Sequence, residues 1–120
     1  MKYIELFAGC GGLSLGLESV GFELHSANEL SPMAAQTFAY NLLAEDLENS
    51  ETVGNVHWIS SQFPRNEMNN RLRENPKQAA GLNDGRFTDL NNVTRRHITR
   101  SLLIGSIVDL NKRVQADDKF

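Results

Sequence analysis

The feature that most constrains this chain is a glycine-dense segment near its beginning, which reads ELFAGCGG from residue 5 to residue 12. The residues before it, Lys2 to Phe7, are apolar and β-prone, as in a buried parallel strand. From Gly12 onward, apolar residues recur at helical spacing, at Leu13, Leu17 and Val20. The pattern predicts a strand, a tight turn and a helix. Glycines in such a turn allow positive φ and let a ligand approach the amides at the helix N-terminus, so we predict a binding cradle here.

A second apolar run, from Phe22 to Ala27, ends at Asn28-Glu29, about twenty residues after the glycines. A carboxylate at that place can accept hydrogen bonds from a ribose diol, which predicts a nucleoside site. The dinucleotide fingerprint requires a third glycine where this chain has Ser14, and Glu5 would repel a pyrophosphate. A ligand with positive charge, such as the sulfonium of S-adenosyl-L-methionine, suits Glu5 better. Two alternatives stay open: an NAD-binding Rossmann protein, and a strand-turn-helix whose glycines only form the turn.

The same residues resemble a known family. Phe7 to Leu13 is similar to the first signature motif of DNA cytosine-5 methyltransferases. Ser26 to Leu30, together with Ala34, Ala35, Tyr40 and Asn41, resembles the segment that follows this motif in the family. Residues 105–107 resemble a later segment of the family. The resemblance implies that the cofactor is S-adenosyl-L-methionine and that its binding residues are Glu5, Phe7, Ala8, Gly9, Cys10, Gly11, Gly12, Glu29, Leu30, Ser106 and Ile107.

The family also assigns roles to these positions. Its loop residues wrap the methionine part of the cofactor, the acid that matches Glu29 binds the ribose hydroxyls, and the next side chain packs on the adenine. Leu30 stands at that next position, where an aromatic residue is frequent. Ser106 stands where an aspartate usually recognises the adenine amino group, so a hydroxyl would replace a carboxylate. Both departures predict weaker recognition of the adenine.

Signals for helix ends place the other elements of residues 1–43. Gly21 is suited to end the first helix, Gly12 to Val20, in a left-handed cap, and Phe22 to Ala27 follows as a second parallel strand. Ser31-Pro32 is typical of an N-cap and a first helical residue, which predicts a second helix from Pro32 to Leu43. Its buried side is expected to carry Ala35, Phe38 and Leu42.

Residues 44–97 are interpreted as a polar insertion or long loop, because apolar residues become sparse there. An apolar island from Val56 to Ile59 is either a short strand or an interaction patch. Trp58 within it either pins the loop to the sheet or contacts a base or partner. A short helix from Arg71 to Ala80, interrupted at Pro76, is also expected.

Residues 98–120 return to apolar character. Their spacing fits one helix, but we favour a strand, Ser101 to Gly105, followed by a helix from Ser106, which the resemblance supports. The fold class is therefore expected to be α/β: a partial Rossmann-like fold of S-adenosylmethionine-dependent methyltransferases. It would have a βαβα start as its cofactor-binding half, a long polar insertion, and a third strand and helix.

Composition limits the other possibilities. With 40% hydrophobic and 22% charged residues, the chain is an ordinary soluble domain, and it lacks a membrane-spanning or signal-type segment, so we expect a cytoplasmic protein. A single cysteine and scattered histidines predict no disulfide and no metal site. The net charge of −3 provides no basic excess for duplex DNA, and the cluster Arg95-Arg96-His97 with Arg100 equally fits a solvated helix start.

Cytosine-5 methylation needs a thiolate that adds to C6 of a flipped base, and the family supplies it from a Pro-Cys pair on the strand after the one near Gly105. The chain is expected to stop before that pair, and Cys10 is interpreted as a small packing residue. The resemblance therefore implies the N-terminal part of a restriction-modification methyltransferase, with no catalytic residue and no activity alone. Double-stranded DNA would be the partner of the complete enzyme. The alternative is a degenerate fragment or a non-catalytic subunit that folds with a complementary C-terminal chain, because an outer strand would expose an apolar edge.

Overall fold

The computed structural model describes residues 1–49, 54–78, 86–94 and 97–116. Strands and helices alternate over the first 43 residues, as the sequence predicts. In chain order the elements are β1 (Lys2–Leu6), α1 (Gly12–Ser19), β2 (Glu23–Glu29), α2 (Pro32–Leu43), β3 (Val56–Trp58), α3 (Met68–Leu72), a 3-10 turn (Leu90–Asn92), β4 (Ser101–Ile104) and α4 (Ile107–Ala116). The predicted α/β class is confirmed, and the architecture is consistent with a partial Rossmann-like fold.

The described strands form one parallel sheet in the order β1-β2-β4-β3. β1 and β2 pair from Lys2 opposite Glu23 to Leu6 opposite Asn28. β4 lies between β2 and β3, with Glu29 of β2 opposite its last residue. Because parallel strands all end at one edge, the carboxyl ends of β1, β2 and β4 lie side by side. Open α/β sheets bind their ligands at this edge.

Helix α2 forms where the sequence predicts it and covers one face of the sheet. Its N-cap Ser31 accepts a hydrogen bond from the Ala34 N–H through Oγ at 3.4 Å, and Pro32 opens the helix. The predicted buried side chains are confirmed, and they join the main core. That core contains Ala8, Leu24, Ala27, Ala35, Phe38, Ala39, Leu42, Leu47, Val56, Trp58, Leu72, Leu102 and Ile104.

A second, smaller core lies on the opposite face of the sheet. Leu103 belongs to it, whereas its neighbours Leu102 and Ile104 belong to the main core, as the alternation of side chains along a strand requires. Its other members are Ile59, Leu90 and Ile98, with Val93 and Leu110 packed against them. The predicted strand and helix near the end of the chain are thus confirmed, and α4 covers the face that α2 does not.

The region 44–97 contributes more structure than expected. Its apolar island is a strand, β3, so the described sheet has four strands rather than about three, and Trp58 is a sheet residue that is 2% exposed. The helix expected from Arg71 to Ala80 is wrong, because α3 spans Met68–Leu72 and ends before Pro76. Proline lacks the N–H that a helix interior requires, which is why the helical segment lies before it.

One expectation about burial was also wrong. β1 is an edge strand rather than a buried one, and its Ile4 and Leu6 are 62% and 50% exposed. The fully buried residue of α1 is Ser14, whereas Leu13 and the C-cap Val20, which the sequence places at helical spacing, are exposed. Helical spacing shows which residues share a face, but it does not show whether another element covers that face.

The buried imidazole of His57 predicts a pH dependence of stability. Burial lowers the pKa of His57, against the opposing effect of Asp89. The unfolded chain, with a histidine pKa of about 6.5, therefore binds more protons than the folded chain just below that pH, and stability is lost as the pH falls. We expect a lower free energy of unfolding in urea at about pH 5.5 than at about pH 7.5. His57→Gln should reduce this difference in unfolding free energy between the two pH values, whereas His97→Gln, at an exposed histidine, should leave it unchanged. Equal effects of the two substitutions would show that His57 is not the source of the pH dependence.

Candidate functional site

The glycine turn between β1 and α1 adopts backbone angles that are rare for L-residues. Phe7 (φ 59°), Gly9 (φ 54°) and Gly11 (φ 92°) all lie in the left-handed region. A Cβ at Gly11 would meet the side chains of Phe38, at 3.0 Å, and Leu42. A Cβ at Gly9 would meet no atom within 4 Å. Gly11 therefore allows the turn to approach α2, whereas Gly9 leaves open space beside the turn.

The carboxylate of Glu29 fixes this turn to the end of β2. Its Oε2 accepts a hydrogen bond from the Gly9 N–H at 2.6 Å, and its Oε1 accepts one from the Ser31 N–H at 2.8 Å. Glu29 is only half-buried, and each carboxylate oxygen has a second acceptor position. The residue predicted as a ribose acceptor thus also positions the turn, and it keeps the capacity to bind a diol.

Glu5 lies next to the turn but is buried. It is 5% exposed, and its carboxylate accepts a hydrogen bond from the hydroxyl of Ser14, which is fully buried. The Tyr3 hydroxyl donates to the Ser14 carbonyl oxygen at 3.4 Å, and burial raises the pKa of Tyr3. Ser14, which stands where the dinucleotide fingerprint has a glycine, therefore donates a hydrogen bond to Glu5. Because Glu5 is buried, its charge would act on a cationic ligand through space and not by direct contact.

Asn28 joins the three predicted segments at the carboxyl edge of the sheet. Its backbone oxygen accepts from the Ala8 N–H at 2.9 Å. Its side-chain Nδ2 donates to the carbonyl oxygens of Leu103 and Gly105 at 3.0 and 3.1 Å. The Gly105 N–H in turn donates to the Glu29 carbonyl oxygen at 2.9 Å. The glycine turn, the end of β2 and the end of β4 are therefore one hydrogen-bonded unit.

A narrow cleft opens beside this unit. Two predicted site residues, Leu30 and Ser106, line it together with Pro32, Trp58, Ser60, Glu74, Pro76, Ile104 and Gly105. Sequence reasoning missed Ser60, Glu74 and Pro76, because they come from the polar region and only the position of β3 beside β4 brings them here. The available signal was Trp58, which marked this region as able to contact the sheet or a ligand.

The remaining predicted residues occupy different places. Ala8 is buried beside the turn, while Phe7 is 74% exposed and Gly12 is exposed. Cys10 is exposed, so its interpretation as a packing residue was wrong; it lies between the two left-handed glycines of the turn. Ile107 lies away from the cleft and lines a groove on α4 with Val108, Leu110, Asn111 and Val114.

The described ranges hold neither a metal site nor a membrane-spanning helix. They contain no group of three His, Cys, Asp or Glu residues that could hold a metal ion, and no helix long and apolar enough to cross a bilayer. Of the basic cluster considered for DNA contact, Arg95 and Arg96 lie outside the described residues. Arg100 pairs with Glu18 at 2.7 Å and donates to the Leu42 carbonyl oxygen at 2.9 Å, so it ties α1 to α2.

Comparison with known proteins decides the family. The model for C-5 cytosine-specific DNA methylases matches residues 1–70, which is more than half of the 120 residues. The chain belongs to this family. The resemblance drawn from the glycine turn and the Glu29 segment is thus confirmed, since both lie within the matched span. The family acts on cytosine in DNA.

Individual relatives agree with this assignment. The Type II methyltransferase M.NgoPII of Neisseria gonorrhoeae is 54% identical over 41 residues, which is 34% of this chain and 12% of that protein. M.HgiGI of Herpetosiphon aurantiacus is 46% identical over 66 residues, 53% of this chain and 52% of its own length. M.PspPI of a Psychrobacter species is 38% identical over 69 residues, 51% of this chain and 17% of its own. The chain therefore matches from about an eighth to about half of the length of these relatives. No solved structure shows a significant match.

Proposed function

We propose that this chain is the S-adenosyl-L-methionine-binding part of a DNA cytosine-5 methyltransferase. The observation that carries the proposal is the hydrogen bond between the Gly9 N–H and Glu29, which holds a glycine turn and a partly exposed carboxylate together at the carboxyl edge of a parallel sheet. Open space beside Gly9 and the remaining acceptor positions of Glu29 fit an amino acid joined to a ribose.

Within the proposed site each segment has a distinct task. The turn offers its backbone and the open space at Gly9 to the methionine part. Glu29 accepts from the ribose hydroxyls, and Leu30 with Ser106 lies where the adenine would be. When bound, the cofactor supplies an electrophilic methyl group; the residues of this chain bind and orient it. Buried Glu5 favours the sulfonium charge through space.

Glu29→Ala is expected to weaken S-adenosyl-L-methionine binding by at least about tenfold, because a charge-assisted hydrogen bond contributes about 1.5 to 3 kcal/mol. Calorimetric titration measures the effect. Glu23→Ala, at the exposed start of β2, is the matched control and should bind like the unaltered chain. Equal affinity of both variants would contradict the assigned role of Glu29. Preference of the unaltered chain for NAD would favour the dinucleotide alternative instead.

The proposal also holds that these residues do not carry out the covalent steps. The 120 residues contain one cysteine and no Pro-Cys pair, and that cysteine is exposed in the glycine turn. A thiolate that adds to cytosine would therefore come from another segment. Incubation of the chain with methyl-labelled cofactor and duplex DNA is expected to leave the DNA unlabelled. Label at C5 of cytosine would refute this part of the proposal.

A second candidate function is that of a non-catalytic subunit or fragment that folds with a complementary chain. The observation that favours it is the position of β1 at the end of the sheet formed by the described strands, with the side chains of Ile4 and Leu6 62% and 50% exposed. An edge strand presents backbone N–H and C=O groups that can pair with another strand, and exposed apolar side chains favour that contact. Gel filtration and circular dichroism of the chain alone test the idea: a folded monomer counts against an obligate partner, and an unfolded or aggregated chain supports one.

A further inference from the structure

Charge is distributed unevenly along this chain. Residues 1–53 contain one lysine or arginine and eight aspartates or glutamates, whereas residues 54–100 contain eight basic and four acidic residues. The overall net charge of −3 therefore hides a region with a basic excess. An asymmetry of this kind indicates contact with nucleic acid or with another anionic surface. The basic side chains of this region that lie at the surface are the candidates for such a contact.

Two of the four acidic residues in this region have partners inside the protein. Glu74 is 8% exposed, and its carboxylate accepts hydrogen bonds from Ser61 Oγ and from the Gln62 N–H, both at 2.7 Å. The Asp89 carboxylate accepts from the guanidinium of Arg71 at 3.1 and 3.0 Å, and these two side chains are 7% and 1% exposed. The surface of the region therefore carries fewer acids than the sequence count suggests.

The segment 65–77 exposes three cations: Arg65, Arg73 and Lys77. Among the described residues of 54–100 the exposed carboxylate is Glu67, so the exposed charge of this segment is positive. Leu72 belongs to the main core and anchors the segment to the rest of the protein. We call residues 65–77 the basic segment. Arginine and lysine are the usual cationic donors to DNA phosphates, so its side chains suit a phosphate backbone.

The basic segment reaches the carboxyl edge of the sheet. Pro76 lines the same narrow cleft as Leu30 and Ser106, which follow the ends of β2 and β4. Lys77 is the next residue, and its N–H donates to Asn75 Oδ1 at 3.0 Å. The basic segment therefore lies next to the proposed cofactor site, at the edge where a base would have to meet the methyl donor.

A group of acidic residues lies toward the other edge of the sheet. The turn after α2 carries Glu45, Asp46 and Glu48, and it lies toward the amino edge because the chain has to return there before the parallel strand β3 begins. DNA phosphates would be repelled by this turn and attracted by the basic segment. Complementary charge of this kind orients a partner as well as attracting it.

We propose that the basic segment contacts the phosphate backbone of duplex DNA through Arg65, Arg73 and Lys77, and so holds the duplex at the edge of the sheet where the methyl donor is proposed to bind. The inference rests on the proposed function, since phosphate contacts at this edge would serve a methyl transfer to DNA. Phosphate contacts carry no sequence information, so this surface fixes the position of the duplex and the target sequence is read elsewhere.

The fluorescence anisotropy of a labelled duplex of mixed sequence measures binding to the 120-residue chain between about 50 and 200 mM NaCl. Each phosphate contact contributes about 0.9 to the slope of log affinity against log salt concentration. The double variant Arg73→Ala/Lys77→Ala is therefore expected to bind more weakly, with a slope smaller by about 1.8, so it loses about tenfold less affinity than the unaltered chain over this range of salt. Lys2→Ala, at the exposed amino end of β1, is the matched control and should keep both affinity and slope.

The outcomes separate this inference from the proposed function. If the chain is folded and binds S-adenosyl-L-methionine but no duplex at about 50 mM salt, the inference is overturned and the proposed function stands. Equal slopes for the double variant and the unaltered chain overturn it in the same way. If the double variant shows the reduced slope while the unaltered chain binds no methyl donor, the phosphate contacts stand and the proposed function fails.

Two further measurements complete the test. Binding to phosphatidylserine vesicles with none to the duplex would assign the basic segment to a membrane surface and overturn the inference. If circular dichroism shows that the double variant does not fold, Lys77→Gln alone decides: it should reduce the slope by about 0.9, and an unchanged slope overturns the inference.

Discussion

Arg71→Ala is expected to lower the free energy of unfolding by about 3 to 5 kcal/mol, the usual cost of leaving one member of a buried ion pair without its partner. Arg71 is 1% exposed, and its guanidinium donates to both carboxylate oxygens of Asp89 at 3.1 and 3.0 Å. Its Nε also donates to the Phe63 carbonyl oxygen at 2.8 Å. The substitution would therefore leave a buried carboxylate and a carbonyl without this donor, and it would uncover the ring of Trp58.

Urea denaturation followed by circular dichroism measures this change. Arg73→Ala, two residues along and exposed, removes the same charge without a buried partner and should alter the free energy of unfolding by less than about 0.5 kcal/mol. Similar values for the two variants would show that the Arg71–Asp89 pair does not stabilise the region after β3.

Gly11→Ala is the second substitution with a large expected effect. Gly11 has φ 92°, where an L-residue is strained by about 1 to 2 kcal/mol. The added methyl would also press on Phe38 and Leu42, which are 0% and 5% exposed and have little room to move. Overpacking of a core costs about 1 to 3 kcal/mol, so we expect a total loss of about 2 to 5 kcal/mol.

The neighbouring glycine provides the control for Gly11. Gly12 is the first residue of α1, and a Cβ there would meet no atom within 4 Å. Gly12→Ala should therefore leave the free energy of unfolding nearly unchanged or raise it slightly, because alanine restricts the unfolded chain. Thermal and urea unfolding of both variants measure this difference. If Gly12→Ala proved as destabilising as Gly11→Ala, the special conformation and close packing of Gly11 would not explain the loss.

The local elements of residues 1–43 could be predicted because their signals are local. The N-cap Ser31, the proline after it and the apolar face of α2 specify that helix without reference to the rest of the chain. The position of β1 at the edge of the sheet could not be predicted, because the apolar pattern of Ile4 and Leu6 is the same for a covered strand and an uncovered one. Strand order is set by contacts between distant residues.

The same distinction applies to the candidate site. Glu29 could be proposed from its distance to the glycines, but its bonds to Gly9 and Ser31 depend on how the turn meets the end of β2. The donor that Ser14 supplies to Glu5 was likewise hidden, because a fingerprint comparison treats that position only as a missing glycine. Glu74 reaches the cleft only because β3 lies beside β4, although the sequence separates it from Ser106 by a long polar stretch.

The most direct test of the cofactor site is a titration of uniformly ¹⁵N-labelled chain with S-adenosyl-L-methionine, followed through its amide resonances. We predict saturable shifts at Gly9, Gly11 and Ser31, whose amides lie in the turn or on the carboxylate of Glu29, with little change at Gly54 before β3. A folded chain whose turn amides stay unshifted at millimolar cofactor, or whose shifts lie only outside this edge of the sheet, would contradict the central claim.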